Sequence, residues 1–365
     1  MITFEGVTKT YPDGTTAVSD LSLTVPSDRI TVIVGPSGCG KTTTLRMVNR
    51  MLEPTEGRIL WDEEPLSARP VTTLRRQMGY VIQSGGLFPH RTVLDNIGTV
   101  PGLLGWTKAK TRARSLELLD AVGLDPALAR RFPGQLSGGQ QQRVGVARAL
   151  AADPLVMLMD EPFSAVDPVV RAELHELFLG LQRELSKTII MITHDIDEAI
   201  ELGDQVAILR VGGILAQAGT PQQLLEEPAD AFVEGFVGKD RGYRSLSFQP
   251  ADRLSLDEVP TTTDAAGARG RTLLLDEDRR PVGWAGLRED GRPMPLGSTF
   301  DPSSDNLRTA LDAALTSPAG LAVAVRDGRF AGVVDPEAVL GQLAEHRSAE
   351  ARGAVEAAGS TEAAP

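Results

Sequence analysis

Ile30-Thr-Val-Ile-Val-Gly-Pro-Ser-Gly-Cys-Gly-Lys-Thr42 is the stretch on which the reading of this chain turns. The apolar run Ile30–Val34 predicts a short buried strand. Leu45, Val48 and Leu52 follow at helical spacing and predict a helix after the turn. Gly35–Thr42 fits the pattern G-x-x-x-x-G-K-[ST], between strand and helix as the pattern requires. Glycines let successive backbone N–H groups point at phosphate oxygens, and the helix N-terminus adds partial positive charge. In such a loop Lys41 reaches the β- and γ-phosphates and the Thr42 hydroxyl meets Mg²⁺. An ordinary glycine turn is the plain alternative, and the flanking strand and helix weigh against it. Cys39 reads as a tolerated small residue and not a nucleophile. A helix N-terminus can still lower a thiol pKa and leave it open to alkylation.

Two further stretches extend the argument. Leu155–Met159 is five apolar residues in a row and leads into Asp160-Glu161, 119 residues after Lys41. A carboxylate at the C-terminal end of a buried strand faces the crevice where α/β sheets bind ligands. Asp160 is expected to hold Mg²⁺ through water, with Glu161 as general base for an attacking water. Leu136-Ser-Gly-Gly-Gln140 precedes a second helical stretch around Val144, Ala147 and Ala151. Ser137 can cap that helix and the two glycines expose its amides, which makes a second anion-binding helix end. A plain capped helix is the alternative. Two such ends with one nucleotide make sense if the second meets the γ-phosphate held by another subunit.

Composition bounds the rest. The 365 residues carry 37 basic and 49 acidic side chains, a formal charge of −12, which argues against a nucleic-acid binder or a polybasic membrane-surface protein. One cysteine excludes a disulfide framework, and four scattered histidines make a histidine metal site unlikely to form. No apolar run approaches bilayer length and Met1-Ile-Thr-Phe-Glu5 has no signal-peptide pattern, so the expectation is a chain without its own span or signal. Unalternating apolar runs at Leu155–Met159 and Thr188–Thr193 predict strands buried on both faces, hence a parallel central sheet. Val206–Ala216 predicts a hairpin turning at Gly212-Gly213.

With these motifs in order, residues 1–240 resemble the nucleotide-binding subunit of ATP-binding-cassette (ABC) transporters. Leu136, Ser137, Gly138, Gly139 and Gln140 match the family signature, which meets ATP in trans. The resemblance implies an α/β cassette: a mixed central sheet, an antiparallel β subdomain and a helical subdomain over about 84–153. It implies ATP contacts at Tyr11, Gly35, Pro36, Ser37, Gly38, Cys39, Gly40, Lys41, Thr42 and Thr43, with Tyr11 stacking on adenine. It implies that Gln83 contacts Mg²⁺ and senses the permease, and that His194 contacts the γ-phosphate. Ser164-Ala-Val-Asp167 resembles the loop that crosses the dimer interface, with Val166 in place of the usual leucine. The implied partners are a second ATPase subunit, integral membrane permease subunits and an extracytoplasmic or permease-fused substrate-binding protein, with no nucleic acid. The implied location is the cytoplasmic face of the membrane.

Gly79–Ile97, Asp195–Ala199 and Phe232–Arg241 are most similar to the glycine betaine/carnitine/choline group of importer ATPases. An amino-acid importer ATPase, an exporter subunit and a non-transport ABC ATPase acting on ribosomes or DNA are the alternatives. The single cassette, the absence of a heptad run and the negative charge speak against the last. Beyond Lys239 the chain has no lysine, so a different segment is expected there. Residues 241–252 read as a linker, 253–347 as a small α/β module and 348–365 as a disordered tail. Leu273–Trp284 overlays Ala322–Val333 at a shift of 49 residues, which suggests two strand–turn–strand halves. Leu307, Leu311 and Leu315 predict a helix before the second half, and Glu337–His346 one after it. The pair resembles a shortened, degenerate pair of cystathionine-β-synthase (CBS) motifs. Asp335 stands where such motifs often place a ligand-binding threonine, so a structural or dimerising appendage is an equal alternative.

Overall fold

The computed structural model describes residues 1–83, 86–164 and 166–343. Ser84, Gly85, Ala165, His346 and the expected tail therefore lie outside the described residues, and the helix expected over Glu337–His346 is seen over 336–343. The chain divides into two compact units, Met1–Gly238 and Lys239–Pro365.

The first unit contains two sheets. β1 (Ile2–Thr10), β2 (Thr16–Val25), β4 (Glu56–Trp61) and β5 (Glu64–Pro65) form an antiparallel sheet in the order β2-β1-β4-β5. β3 (Ile30–Val34), β6 (Met78–Val81), β7 (Val156–Asp160), β8 (Thr188–Ile192), β9 (Gln205–Arg210) and β10 (Ile214–Gly219) form the central sheet, ordered β10-β9-β3-β8-β7-β6. Its pairings are parallel except at the β9–β10 hairpin. Every residue of β3, β7 and β8 is buried, as unalternating apolar runs require. At about 1.5–3 kcal/mol for each fully buried large aliphatic side chain, these strands hold the chain ends that carry the site.

The Lys41–Val48 helix sits in one core with both sheets. Leu45 and Val48 pack there with Ile33, Leu158 and Ile190 of the central sheet and with Phe4 and Trp61 of the antiparallel one. Leu52, expected on the same helix, lies beyond its end but still packs on this core. Leu155, expected to open β7, is instead exposed, and β7 runs on through Asp160. Among the described residues four α-helices, Val93–Ile97, Thr99–Leu103, Lys108–Ala121 and Gly138–Leu150, lie in the expected helical region between β6 and β7.

The second unit repeats one topology. Short β11 (Thr261–Thr262) runs parallel to β12 (Thr272–Leu275), which pairs antiparallel with β13 (Pro281–Ala285) and, beyond it, β14 (Met294–Pro295). Likewise β15 (Thr299–Phe300) is parallel to β16 (Ala322–Arg326), which pairs with β17 (Arg329–Val334). A helix, Leu307–Thr316, joins β15 to β16, whereas no helix joins β11 to β12. Residues 241–252 correct the expectation of a linker. Arg241–Ser245 is helical, and Leu246 and Ala251 are buried in the core under Leu307–Thr316.

Candidate functional site

Gly40 shows why the loop after β3 needs glycine. Its φ is +98°, and a Cβ there would lie 2.2 Å from the Ala17 carbonyl oxygen. That left-handed turn starts the Lys41–Val48 helix directly beneath the loop. Lys41 is buried. Its ammonium donates to the Gly35 carbonyl at 2.7 Å and to the Pro36 carbonyl at 3.1 Å, so it is held along the inner rim of the loop. Ser37 and Gly38 are exposed at the loop crest. Thr43, on the following turn, shares a 3.2 Å hydrogen bond with the Tyr11 hydroxyl, which brings that aromatic ring to the loop.

Cys39 corrects one expectation. The thiol is fully buried in the core, and burial pushes its pKa up despite the nearby Lys41 charge. Desolvation of the thiolate outweighs the Lys41 ammonium and its hydrogen bonds, so the shift runs opposite to the lowered pKa that a helix N-terminus would give.

Parallel register brings the distant residues together. β7 pairs in parallel with β8 through Asp160 and Ile192, so Glu161 and His194 follow the C-terminal ends of adjacent interior strands. Thr42 Oγ1 donates to Asp160 Oδ1 at 3.5 Å. Asp160 is buried, and this desolvation holds its carboxyl above the usual carboxylate range in spite of Arg46. Glu161 has a left-handed φ of +44°, held by its N–H donating to the Ile192 carbonyl at 3.0 Å. Such strain in a non-glycine residue persists only where the surroundings over-determine it. The twist delivers Glu161 Oε2 to within 3.4 Å of His194 Nδ1 and 3.3 Å of Gln83 Nε2. Gln83 Nε2 also lies 3.5 Å from Ser164 Oγ. The His194 side chain is 57% exposed and that of Glu161 24%, so both open to solvent at the C-terminal ends of the strands.

The second expected anion site is also formed as a helix end. Ser137 Oγ accepts from the Gln140 N–H at 3.3 Å, and Gln140 Oε1 accepts from the Ser137 N–H at 3.0 Å, a complete capping box. Leu136 is buried beneath it. The side-chain hydrogen bonds of Ser137 and Gln140 stay within this helix start and do not reach the Gly35–Thr42 loop. Asp167 caps the Pro168–Leu185 helix, its Oδ1 accepting from the Val170 N–H at 3.2 Å.

Sequence reasoning missed three side chains beside these. Tyr80 and Arg46 flank Asp160, and burial, then the Asp160 charge, push the Tyr80 phenol up to about 12. A phenol so weakly acidic stays a donor toward the carboxylate. Tyr80 pairs with Leu158 in register, two residues before Asp160, and it is this register, which no local sequence pattern encodes, that brings it to the carboxylate. Arg171 is the third, and nothing in its sequence position distinguishes it from a solvated helix charge. Elsewhere in the unit an open groove of about 920 Å³ is lined by Phe88, Leu94, Leu103, Trp106 and Arg112, among others. It begins five residues after Gln83.

The same fold is found in solved structures. One is the dimeric ATP-binding cassette MJ0796 in a post-hydrolysis state bound to ADP and Pi. It is 33% identical, with a TM-score of 0.55 over 60% of this chain and 99% of that one. Another is cbiO1 from Clostridium perfringens, part of the ABC transporter complex cbiONQ. It is 30% identical, with a TM-score of 0.58 over 62% and 90% of the two chains. The fold is therefore that of an ATP-binding cassette. The family model for ABC transporter matches residues 18–164. The osmoprotectant import ATP-binding protein OsmV of Salmonella typhimurium is 40% identical over 96% of this chain and 98% of its own length. The carnitine transport ATP-binding protein OpuCA of Listeria monocytogenes is 52% identical over 76% of this chain and 70% of its own. The glycine betaine/carnitine/choline transport ATP-binding protein OpuCA of Bacillus subtilis is 46% identical over 77% and 73%. This chain belongs to the ATP-binding subunits of ABC transporters.

Proposed function

We infer that this chain hydrolyses ATP to energise import of a quaternary-ammonium osmolyte, of the glycine betaine, carnitine or choline type, through a partner membrane permease. The relatives named above support the substrate class, since their names place them in osmoprotectant, carnitine and betaine uptake. The observation that carries the chemistry is Glu161 Oε2, poised between His194 Nδ1 and Gln83 Nε2 at the C-terminal ends of the central strands.

In this reading the Gly35–Thr42 amides and the Lys41 ammonium bind the phosphates, and Tyr11 stacks on the adenine. Glu161 takes the proton of the attacking water, and Gln83 and His194 orient that water and the γ-phosphate. The Thr42 hydroxyl and Asp160 carboxylate converge on one point, an all-oxygen donor pair that suits Mg²⁺ with phosphate oxygens and waters completing its shell. When bound, Mg²⁺ neutralises charge on the β- and γ-phosphates.

The capped end at Leu136–Gln140 supports a head-to-tail homodimer, because the capping box engages the Ser137 and Gln140 amides and leaves those of Gly138 and Gly139 to face a phosphate held by the partner's Lys41 loop. Asp167 and its loop then lie at the interface. The groove after Gln83 is the surface assigned to the permease, which holds the chain on the cytoplasmic face. Among the described residues no helix is long and apolar enough to cross a membrane. An extracytoplasmic or permease-fused binding protein would deliver the osmolyte. The second unit is read as a degenerate CBS-like regulatory module, supported by its repeated strand topology. Asp335 Oδ1 accepts from the Ala338 N–H at 2.7 Å, so this carboxylate serves as a helix cap and favours a structural over a nucleotide-binding role.

Glu161→Gln tests the assignment. It is expected to keep ATP affinity, lose turnover and accumulate an ATP-bound dimer on size exclusion. Retained turnover would remove Glu161 from the role of base.

A further inference from the structure

Arg171 lies one turn into the Pro168–Leu185 helix, and its guanidinium faces three groups on two other pieces of the chain, the loop before its own helix and the start of the Ile196–Leu202 helix. One Nη donates to the Val166 carbonyl at 3.3 Å, inside the loop that Asp167 closes. The other lies 3.5 Å from Asp195 Oδ2, the residue after His194. Nε, buried and without a hydrogen-bond partner, lies at an ion-pair distance of 3.7 Å from Glu198 Oε1. Glu198 is itself buried, and its Oε2 accepts from Thr193 Oγ1 at 2.6 Å, the residue before His194. The Thr193 hydroxyl in turn accepts from the Asp195 N–H at 3.1 Å. The turn carrying His194 is thus pinned on both sides by groups that Arg171 contacts, and the same guanidinium holds the Val166 carbonyl.

We propose that Arg171 is a positioning residue that couples the Val166–Asp167 stretch to the His194 turn, so that the imidazole takes its working orientation only when that stretch is seated. This rests on the reading of His194 as a γ-phosphate contact and of the loop as part of the dimer interface. The planar fork of an arginine can hold the Val166 carbonyl with one nitrogen while its charge faces the Asp195 and Glu198 carboxylates, whereas a lysine ammonium offers one point charge on a flexible stem. Buried Glu198 is compensated first by the Thr193 hydroxyl and then by His175, 3.9 Å away, and Arg171, so moving Arg171 away removes a part of what offsets its desolvation. A movement of the loop therefore carries through Arg171 to both neighbours of His194.

The test is a double-mutant cycle on ATP turnover of the full chain, with Arg171→Ala, His194→Ala and the double variant. Arg171→Ala is expected to lower kcat about tenfold while KM for ATP changes less than about threefold. Arg171→Lys should recover little of the loss. If Arg171 acts through His194, the double variant is no slower than His194→Ala alone. Multiplying losses would overturn the proposal while leaving the ATPase reading intact. Wild-type turnover in His194→Ala would overturn the reading of His194 and the proposal with it. Glu198→Gln keeps the shape of the cluster and serves if Arg171→Ala fails to fold. It should lower kcat in the same direction, and unchanged kcat would count against the coupling. Amide hydrogen exchange gives a second readout. In the variants, faster exchange is expected at 166–167 and 193–195 together, and a change confined to one of the two segments contradicts the link.

Discussion

Asp160 carries a conflict between stability and chemistry at a single residue. Its carboxyl is buried beside Thr42 and is held above the usual carboxylate range chiefly by desolvation. An acid whose folded pKa is raised contributes stability that is full below the unfolded pKa and is lost as pH rises through the folded one. Asp160→Asn removes that cost. In EDTA the variant is expected to melt roughly 2–4 °C above the parent at pH 8. The gap should close toward pH 4, while Mg²⁺-dependent turnover is lost at every pH. Differential scanning calorimetry across pH checks this, and a lower melting temperature at pH 8 would show that Asp160 is better compensated than its burial implies. Glu161 makes the same point through its backbone. Its φ of +44° is a strain that an ordinary turn would relieve with glycine, and the chain keeps a carboxylate there instead.

At the scale of elements, the Gly138–Leu150 helix separates a structural role from a functional one. Its capping box satisfies two of the amides that every helix start leaves unpaired. Ser137→Ala is expected to cost about 1 kcal/mol of stability, seen as a small fall in melting temperature. It should leave ATP binding to the single subunit unchanged and weaken the ATP-dependent dimer formed by a Glu161→Gln background. A dimer of undiminished affinity on analytical ultracentrifugation would confine Ser137 to capping. Elements were legible in the sequence where burial was complete. β3, β7 and β8 were readable because both faces are covered and every position is apolar or nearly so. Leu52 and Leu155 were misplaced because local spacing does not say where a helix loses its last hydrogen bond or which strand end meets solvent. The stretch 241–252 looked like a linker from its polar composition, but Leu246 and Ala251 are enough to anchor it in a core. The residues of the nucleotide loop were legible because their backbone geometry demands particular amino acids. Tyr80, Arg46 and Arg171 were not, because their roles depend on strand register and helix packing that no local pattern encodes.

For the whole molecule, the boundary after Gly238 assigns the site to one unit. Tyr11, the Lys41 loop, Asp160, Glu161 and His194 all precede it, and the second unit has cores of its own. A chain ending at Gly238 is therefore expected to fold and keep basal ATPase activity within about twofold, since a unit with its own core folds alone. Ending at residue 249 instead would leave Leu246 without the Leu307–Thr316 helix that covers it. Circular dichroism and ATP turnover check the shorter chain. Failure to fold would make the second unit a structural part of the cassette.

The central claim joins the cassette to an osmolyte. It is tested most directly by uptake into proteoliposomes holding the full chain and its cognate permease, with ATP and Mg²⁺ inside. Glycine betaine, choline, carnitine, an amino acid and a polyamine would be compared in the same vesicles. The account predicts ATP-dependent uptake of at least one quaternary-ammonium compound, abolished by Glu161→Gln. Uptake of the amino acid or the polyamine with none of the quaternary-ammonium compounds would contradict it.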